Sequence, residues 1–445
     1  MKPPYPYCDG INRRDFLRVG AAGVLGIELS LPALLARQAR ASASPDSKRD
    51  VSVIWVFLKG GMSTIDTFDL KPDAPSDIRG EFKPIPSRIP GVHVCELLPK
   101  IAGQMDKFSL VRAFGHRNSD HGPADHYMLT GYHPIAGFNP NLKPNNQYPS
   151  VGSIIGHKLG PRSSVPPYVC LPIMHASAGS AFLGPSAVPF VIEADPSAPS
   201  FSVPDLAPPM ALDVSRLSAR RELLARVDRY QQSAEVKANS AARSVSVFAQ
   251  KAFDLMTSPA AKKAFDIAQE PEKLRDEYGR HTLGQSCLMA RRLVEAGVRC
   301  VMIDHSNWDT HNDNFTIMKT QLLPKFDSAI SALFRDLADR GLLDSTLVIV
   351  SGEFGRTPRI NKDAGRDHWS KCFTLAIGGG GIHGGRVVGT SDAWAQEPAE
   401  NPYGPEDLAA TLYHLLGIDP KGEVRTPEGR PIALSNGGRI IRELV

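Results

Sequence analysis

Short, almost continuously apolar segments recur along the chain and end at polar or glycine residues. They are Val51–Leu58 (VSVIWVFL), Ser109–Phe114, Tyr168–Ile173, Arg299–Asp304, Thr346–Ser351 and Phe373–Ile377. A strand with one wet face alternates polar and apolar residues, so unbroken apolar runs of this length predict strands buried on both faces. Helical patterns lie between the later ones. Gln321–Leu343 places Leu322, Leu323, Phe326, Ile330, Leu333, Phe334 and Leu337 on one stripe, and Pro405–Leu416 does the same with Leu408 and Leu412. Strands separated by helices predict an α/β fold with a mostly parallel central sheet and helices on both faces. Ligands in such sheets gather at the carboxyl ends of the strands.

Other stretches fit around this plan. Residues from about 213 to 280 are rich in Ala, Arg, Lys, Gln and Glu and read as a helical insertion. The Pro-rich stretches Pro134–Pro149 and Pro185–Pro209 read as long surface loops. Gly378–Gly385 lacks the following helix of a nucleotide site and reads as a turn. No internal repeat recurs at a fixed period.

The N-terminus carries the parts of a twin-arginine export signal. Asn12-Arg13-Arg14-Asp15-Phe16-Leu17-Arg18 precedes a weakly apolar stretch from Val19 to about Leu35, and small residues surround Ala41 and Ala43. Gly20, Gly23, Gly26, Glu28 and Pro32 interrupt the apolar stretch, so a retained membrane anchor is not expected. The expectation is a signal peptide over residues 1–43, cut at Ala41 or Ala43, and a mature domain over 44–445. Its partners are then the twin-arginine export machinery and signal peptidase, and its destination the periplasm or the cell exterior. The formal net charge is only +4 and no basic stripe occurs, so no nucleic-acid partner is expected. Of six cysteines, Cys8 lies in the leader, leaving Cys95, Cys170, Cys287, Cys300 and Cys372 for at most two disulfides or for unpaired burial.

Residues able to hold a metal concentrate just after the predicted strands. Val51–Leu58 runs into a glycine turn with Lys59, Ser63 and Asp66; Ser109–Phe114 into His116, Asp120, His121, Asp125 and His126; and Arg299–Asp304 into Asp309 and His311. Thr346–Ser351 runs into Glu353 and Arg356, followed by Arg366, Asp367 and His368. Asp309 and His311 flank Thr310, so in an extended segment both side chains point one way and share a ligand. Glu353, acidic and next to a buried strand, needs a partner, for which Arg356 is a candidate. Asp367 is a candidate to orient His368. Arg356 and Lys59 are candidate anion holders. Metal ligands are sought among Asp66, Asp304, Asp309, His311, Glu353 and His368, and substrate contacts among Lys59, Ser63, Asp125 and His126. The expected ion is a divalent metal: mixed imidazole and carboxylate donors suit zinc, manganese or iron, and a carboxylate-dominated site would take magnesium or calcium.

Five ordered motifs carry a resemblance. Lys59–Pro72 (KGGMSTIDTFDLKP), His116–Pro134 (HRNSDHGPADHYMLTGYHP), Asp304–Asn312 (DHSNWDTHN), Gly352–Pro358 (GEFGRTP) and Gly365–Trp369 (GRDHW) resemble the DUF1501 family across essentially the whole mature chain. That family in turn resembles the alkaline phosphatase-like superfamily of sulfatases and phosphodiesterases. The stretch His121–Pro134 is similar to the nucleophile segment, and Asp407–Ile418 to a late sulfatase helix. The resemblance implies an alkaline phosphatase-like fold and metal-dependent hydrolysis of sulfate or phosphate esters, with His121 and Arg356 as the residues nearest the chemistry. The chain departs from that pattern at telling places. Gly60-Gly61 replace the first metal-binding aspartate, His121 stands at the nucleophile position, and Glu353-Phe354 replaces an Asp-His pair. Two functions follow as expectations: a metallohydrolase, or a non-catalytic exported protein that uses the altered cleft to bind a glycan or protein partner.

Overall fold

Every residue of strand β1, Ser52–Leu58, is buried, and the two faces of that strand belong to two different cores. The computed structural model describes residues 50–206 and 255–445, with Ala219 and Glu222 between them. The signal expected over 1–43 and most of the insertion expected over 213–280 lie outside the described residues. Because side chains alternate along a strand, Ile54, Val56 and Leu58 enter one core and Val53, Trp55 and Phe57 the other.

The remaining strands used below are β2 (Phe108–Phe114), β3 (Tyr168–Leu171), β4 (Phe190–Val191), β5 (Cys300–His305), β6 (Thr346–Ser351), β7 (Gly355–Arg356), β8 (His368–Trp369), β9 (Phe373–Gly378) and β10 (Val387–Val388). Eight of them form one sheet in the order β10-β2-β9-β6-β1-β5-β3-β4. All neighbours pair in parallel except β9, which runs against both β2 and β6. The carboxyl ends of β1, β2, β5 and β6 therefore share one edge, and β7 and β8 form a separate antiparallel ribbon.

Helices cover both faces, as the strand pattern requires. Helix α1 (His121–Thr130), α2 (Val151–Leu159) and α5 (Pro405–Leu415) bury Met128, Ile154 and Leu412 on one side. Helix α3 (Thr282–Glu295) and α4 (Leu323–Asp339) bury Leu288 and Phe326 on the other. The expected helix Gln321–Leu343 ends earlier than its expected bound, at Asp339, because Gly341 turns the chain at φ +68°. Strand β3 stops at Leu171 where Pro172 removes a ladder donor, and Ile173 is exposed. The Pro185–Pro209 loop is not wholly irregular, since it adds β4 to the sheet edge. All five cysteines of the described region are free and buried. Among the described residues no helix is long and apolar enough to cross a membrane.

Candidate metal centre

The site forms where three glycines let the backbone close up. Gly60 has φ +112°, and a Cβ there would lie 2.4 Å from the Asp309 nitrogen, so only glycine lets the loop after β1 pass against the loop after β5. Gly61 has φ +86° and lies against the Phe354 ring. At Gly365 a Cβ would sit 1.8 Å from the His311 carbonyl oxygen, so the turn leading into β8 presses on the 309–311 segment. The β7–β8 ribbon sets His368 opposite Arg356. Helix α1 brings in His121 as its first residue.

Three imidazoles converge on one carboxylate. Around Asp309, the Nε2 atoms of His121, His311 and His368 lie 3.2, 3.1 and 3.1 Å from a carboxylate oxygen. The His311 and His368 Nε2 atoms are 2.9 Å apart. On the far side of each ring, Nδ1 meets an acceptor: Glu353 Oε1 at 2.6 Å behind His121, Asp367 Oδ1 at 2.7 Å behind His311, and the Ser119 carbonyl at 2.7 Å behind His368. These partners assign the ring protons to Nδ1, which leaves three Nε2 lone pairs facing a carboxylate. Four acceptors packed together repel unless a proton or a cation stands among them. Imidazoles that donate one ring proton to a carboxylate or carbonyl and aim the other nitrogen at a common point have the arrangement of metal ligands. The ligand atoms of His121, Asp309 and His368 all lie within 4.8 Å of one another, so the residues present fit a divalent ion.

The charges agree with this geometry. Burial lowers the proton affinity of His121, but the hydrogen bond and charge of Glu353 and the charge of Asp309 outweigh it and raise its pKa. Burial opposes ionisation of Asp309, yet Arg356 and His121 draw its carboxyl down to about 2. His368 is held below the ordinary histidine range by burial and by the nearby Arg356 and His121. Burial and the charge of Asp125 raise the Glu353 carboxyl.

Other residues named from the sequence have different places. Glu353 is fully buried behind His121 and accepts from the Gly60 N–H at 2.8 Å, so it orients a ring rather than facing the point of convergence. Arg356 does not pair with Glu353. Its guanidinium, fully buried, donates to the Gly60 and Gly61 carbonyls, the Arg366 carbonyl and Asp309, which leaves it a positioning residue rather than an anion holder. Asp367 orients His311, not its neighbour His368. Asp66 is not brought into the cluster: it forms a buried bidentate pair with Arg366 and accepts from Ser63 Oγ at 2.6 Å. His126 has both nitrogens engaged by backbone, Nδ1 with the Tyr132 carbonyl and Nε2 with the Gln147 N–H, and burial lowers its pKa to about 4. An open cavity of about 500 Å³ adjoins the cluster; Lys59, His121, Asp125, Lys143, Asn145 and Asp309 line it. Asp304 is buried near Lys59, Asp125 and His175. Sequence reading missed Lys143, in the Pro-rich loop 134–149, and His175, in the loop after β3; both lie outside any motif, and only the packing of those loops against α1 brings them in.

Fold and site together define an α/β protein with a histidine-rich, metal-competent centre at the carboxyl edge of a mostly parallel sheet. Residues 50–445 match the family described as "Protein of unknown function (DUF1501)", and the chain belongs to that family. No curated protein matches it. Among solved structures the chain is similar to the lipoteichoic acid synthase LtaP from Listeria monocytogenes, at 13% identity and TM-score 0.35 over 84% of this chain and 74% of that one. It is similar to the PsFucS1 sulfatase from Pseudoalteromonas sp. at 15% identity and TM-score 0.38, over 87% and 70%. It is also similar to the phosphonate monoester hydrolase SpPMH from Silicibacter pomeroyi at 13% identity and TM-score 0.34, over 88% and 76%.

Proposed function

We propose that the protein is an exported, divalent-metal-dependent hydrolase of phosphate or sulfate esters. The observation that carries the reading is the convergence of His121, His311 and His368 on Asp309 with every Nδ1 already held. An imidazole-rich set of this kind favours zinc, or manganese, over magnesium and calcium. A divalent ion there supplies Lewis acidity toward an ester oxygen and toward water. The chain's own part is positional. Glu353 fixes the His121 ring, Asp367 fixes His311, and Arg356 fixes Asp309 to the glycine turn. Lys59 and Lys143 give the adjoining cavity two ammonium groups with which to hold an anionic ester. The double arginine of Asn12–Arg18 and the small residues at Ala41 and Ala43 support export by the twin-arginine route.

The test is metal content by elemental analysis, together with hydrolysis of p-nitrophenyl sulfate, p-nitrophenyl phosphate and bis(p-nitrophenyl) phosphate. The expected result is about one zinc or manganese per chain, lost in an Asp309→Ala/His368→Ala double variant together with turnover. Protein that takes up neither metal, and whose thermal stability neither metal changes, would sink the proposal. A second reading is favoured by one observation: the residue that opens α1 is an imidazole engaged at both nitrogens, not a hydroxyl or thiol. It makes the protein a non-catalytic binder of a glycan or protein partner, and metal uptake with no turnover of any ester would establish it.

A further inference from the structure

Beside the metal-competent cluster lies a second group of buried polar side chains whose hydrogen bonds are incomplete. Asp125 and Asp304 are each 4% exposed and His175 2%. The Ser177 N–H donates to His175 Nδ1 at 3.0 Å, which assigns the ring proton to Nε2 and keeps the imidazole neutral although the neighbouring Asp125 charge, outweighing burial, raises its pKa. That Nε2 faces Asp125 Oδ2 at 3.3 Å. Asp125 Oδ1 and Asp304 Oδ1 have no hydrogen-bond partner among the described residues. The charges acting on Asp304 are those of His175, Lys59 and Asp125. With His175 neutral, two carboxylates face one ammonium, and the group is one positive charge short. A buried, unpaired carboxylate oxygen is costly unless something completes it.

Asp125 lies in the wall of the cavity that also holds Lys59 and Lys143. That cavity therefore brings together two lysine ammonium groups for an anion and, in the same lining, the Asp125 carboxylate, whose unmet Oδ1 is itself buried. We infer that the cavity takes a zwitterionic ester: a phosphate or sulfate ester of an amino alcohol or amino sugar, its anionic end at Lys59 and Lys143 and its protonated amine at Asp125. The inference rests on the hydrolase reading for the nature of the anionic end, and adds the charge carried by the leaving group. A metal ion at this second group is disfavoured by His175, whose Nδ1 already accepts a hydrogen bond from the Ser177 N–H and whose Nε2 carries the ring proton. A proton shared by the two carboxylates is the competing occupant.

The experiment compares equilibrium binding of 2-aminoethyl phosphate and propyl phosphate, which differ only in an ammonium for a methyl group, to the metal-loaded full chain by calorimetry. One charge-assisted hydrogen bond corresponds to roughly 10- to 100-fold tighter binding of the amine. The wild type is expected to show that preference, and Asp125→Asn to reduce the ratio to near one while still taking up one metal ion per chain. Equal affinity of the wild type for the two esters overturns the inference, and so does a preference that persists in Asp125→Asn. Failure of propyl phosphate to bind at all strikes the hydrolase reading instead. The wild-type comparison decides the matter even where the variant does not fold. The same pair of measurements with 2-aminoethyl sulfate and propyl sulfate reads the sulfate series.

Discussion

Arg366 is the residue whose loss should harm this protein most without touching the point where the imidazoles converge. Its side chain and that of Asp66 are both fully buried. The guanidinium donates to Asp66 Oδ2 at 2.7 Å and Oδ1 at 2.9 Å, to the Ile78 carbonyl at 2.8 Å, to the Thr357 carbonyl at 3.0 Å and to the Pro358 carbonyl. It thus ties the turn after β1 to the segment that follows β7. Replacing it by methionine keeps much of the volume but leaves Asp66 buried with only Ser63 and Asn314 as donors. Removing one partner of a buried pair costs about 3–5 kcal/mol, because an uncompensated charge remains. Asp66→Asn strands the guanidinium in the same way. The Asp66→Asn/Arg366→Met double variant removes both charges, so its cost should fall short of the sum of the single costs by about 0.5–3 kcal/mol. Equilibrium urea unfolding reads these values from tryptophan emission, since Trp55 and Trp308 are each 1% exposed. The reasoning fails if Arg366→Met costs less than about 1 kcal/mol, a value typical of an exposed pair, or if the double variant is simply additive. A site readout accompanies it. The Arg366 carbonyl accepts from Arg356, which holds Asp309, so metal affinity should weaken along with stability.

Three further outcomes are expected. Asp367→Asn removes the carboxylate behind His311 and should weaken metal affinity about 10- to 100-fold while leaving one ion per chain at saturation, as measured by chelator competition; unchanged affinity would show that His311 needs no such support. Gly365→Ala should displace the His311 carbonyl, lowering both the melting temperature and metal affinity; a variant matching the wild type in both would contradict the close approach described above. His116 and His126 titrate at about 4 in the folded chain, chiefly through burial, against an ordinary value near 6.5. Between those values the unfolded chain binds protons that the folded chain does not. Stability should therefore fall as pH drops from about 6.5 to 4, by up to roughly 3 kcal/mol per histidine. A His116→Gln/His126→Gln variant with the same pH slope as the wild type would refute the assignment.

The sheet was legible because burial on both faces leaves an unmistakable trace: Val51–Leu58 and Thr346–Ser351 have no alternation to confuse them with anything else. Asp309 and His311 were legible because two residues of one extended segment share a side, and the two do meet. Glu353 announced itself as an acid beside an apolar run, but which group would answer it was not legible. Arg356 lies closer in sequence, yet the partner is His121, 232 positions away, because α1 begins where the glycine turn leaves room. His175 had no motif to mark it, since its place depends on how the loop after β3 folds back over α1 to meet Asp125. Asp66 misled for a physical reason: a carboxylate after a buried strand can serve a metal or a guanidinium equally well, and Arg366 was too far along the chain to pair with it by eye.

The imidazoles and carboxylate of the cluster come from α1, from the loop after β5 and from the β7–β8 ribbon, with His121 and Asp309 188 positions apart. No local fragment of the chain contains the site, so the unfolded polypeptide has nothing with which to discriminate one ion from another. On the proposed reading, selection of an ion begins only when the sheet has closed, among the ions present wherever that happens. A chain that travels already folded would then carry a metal that records the compartment of its synthesis rather than the place where it works.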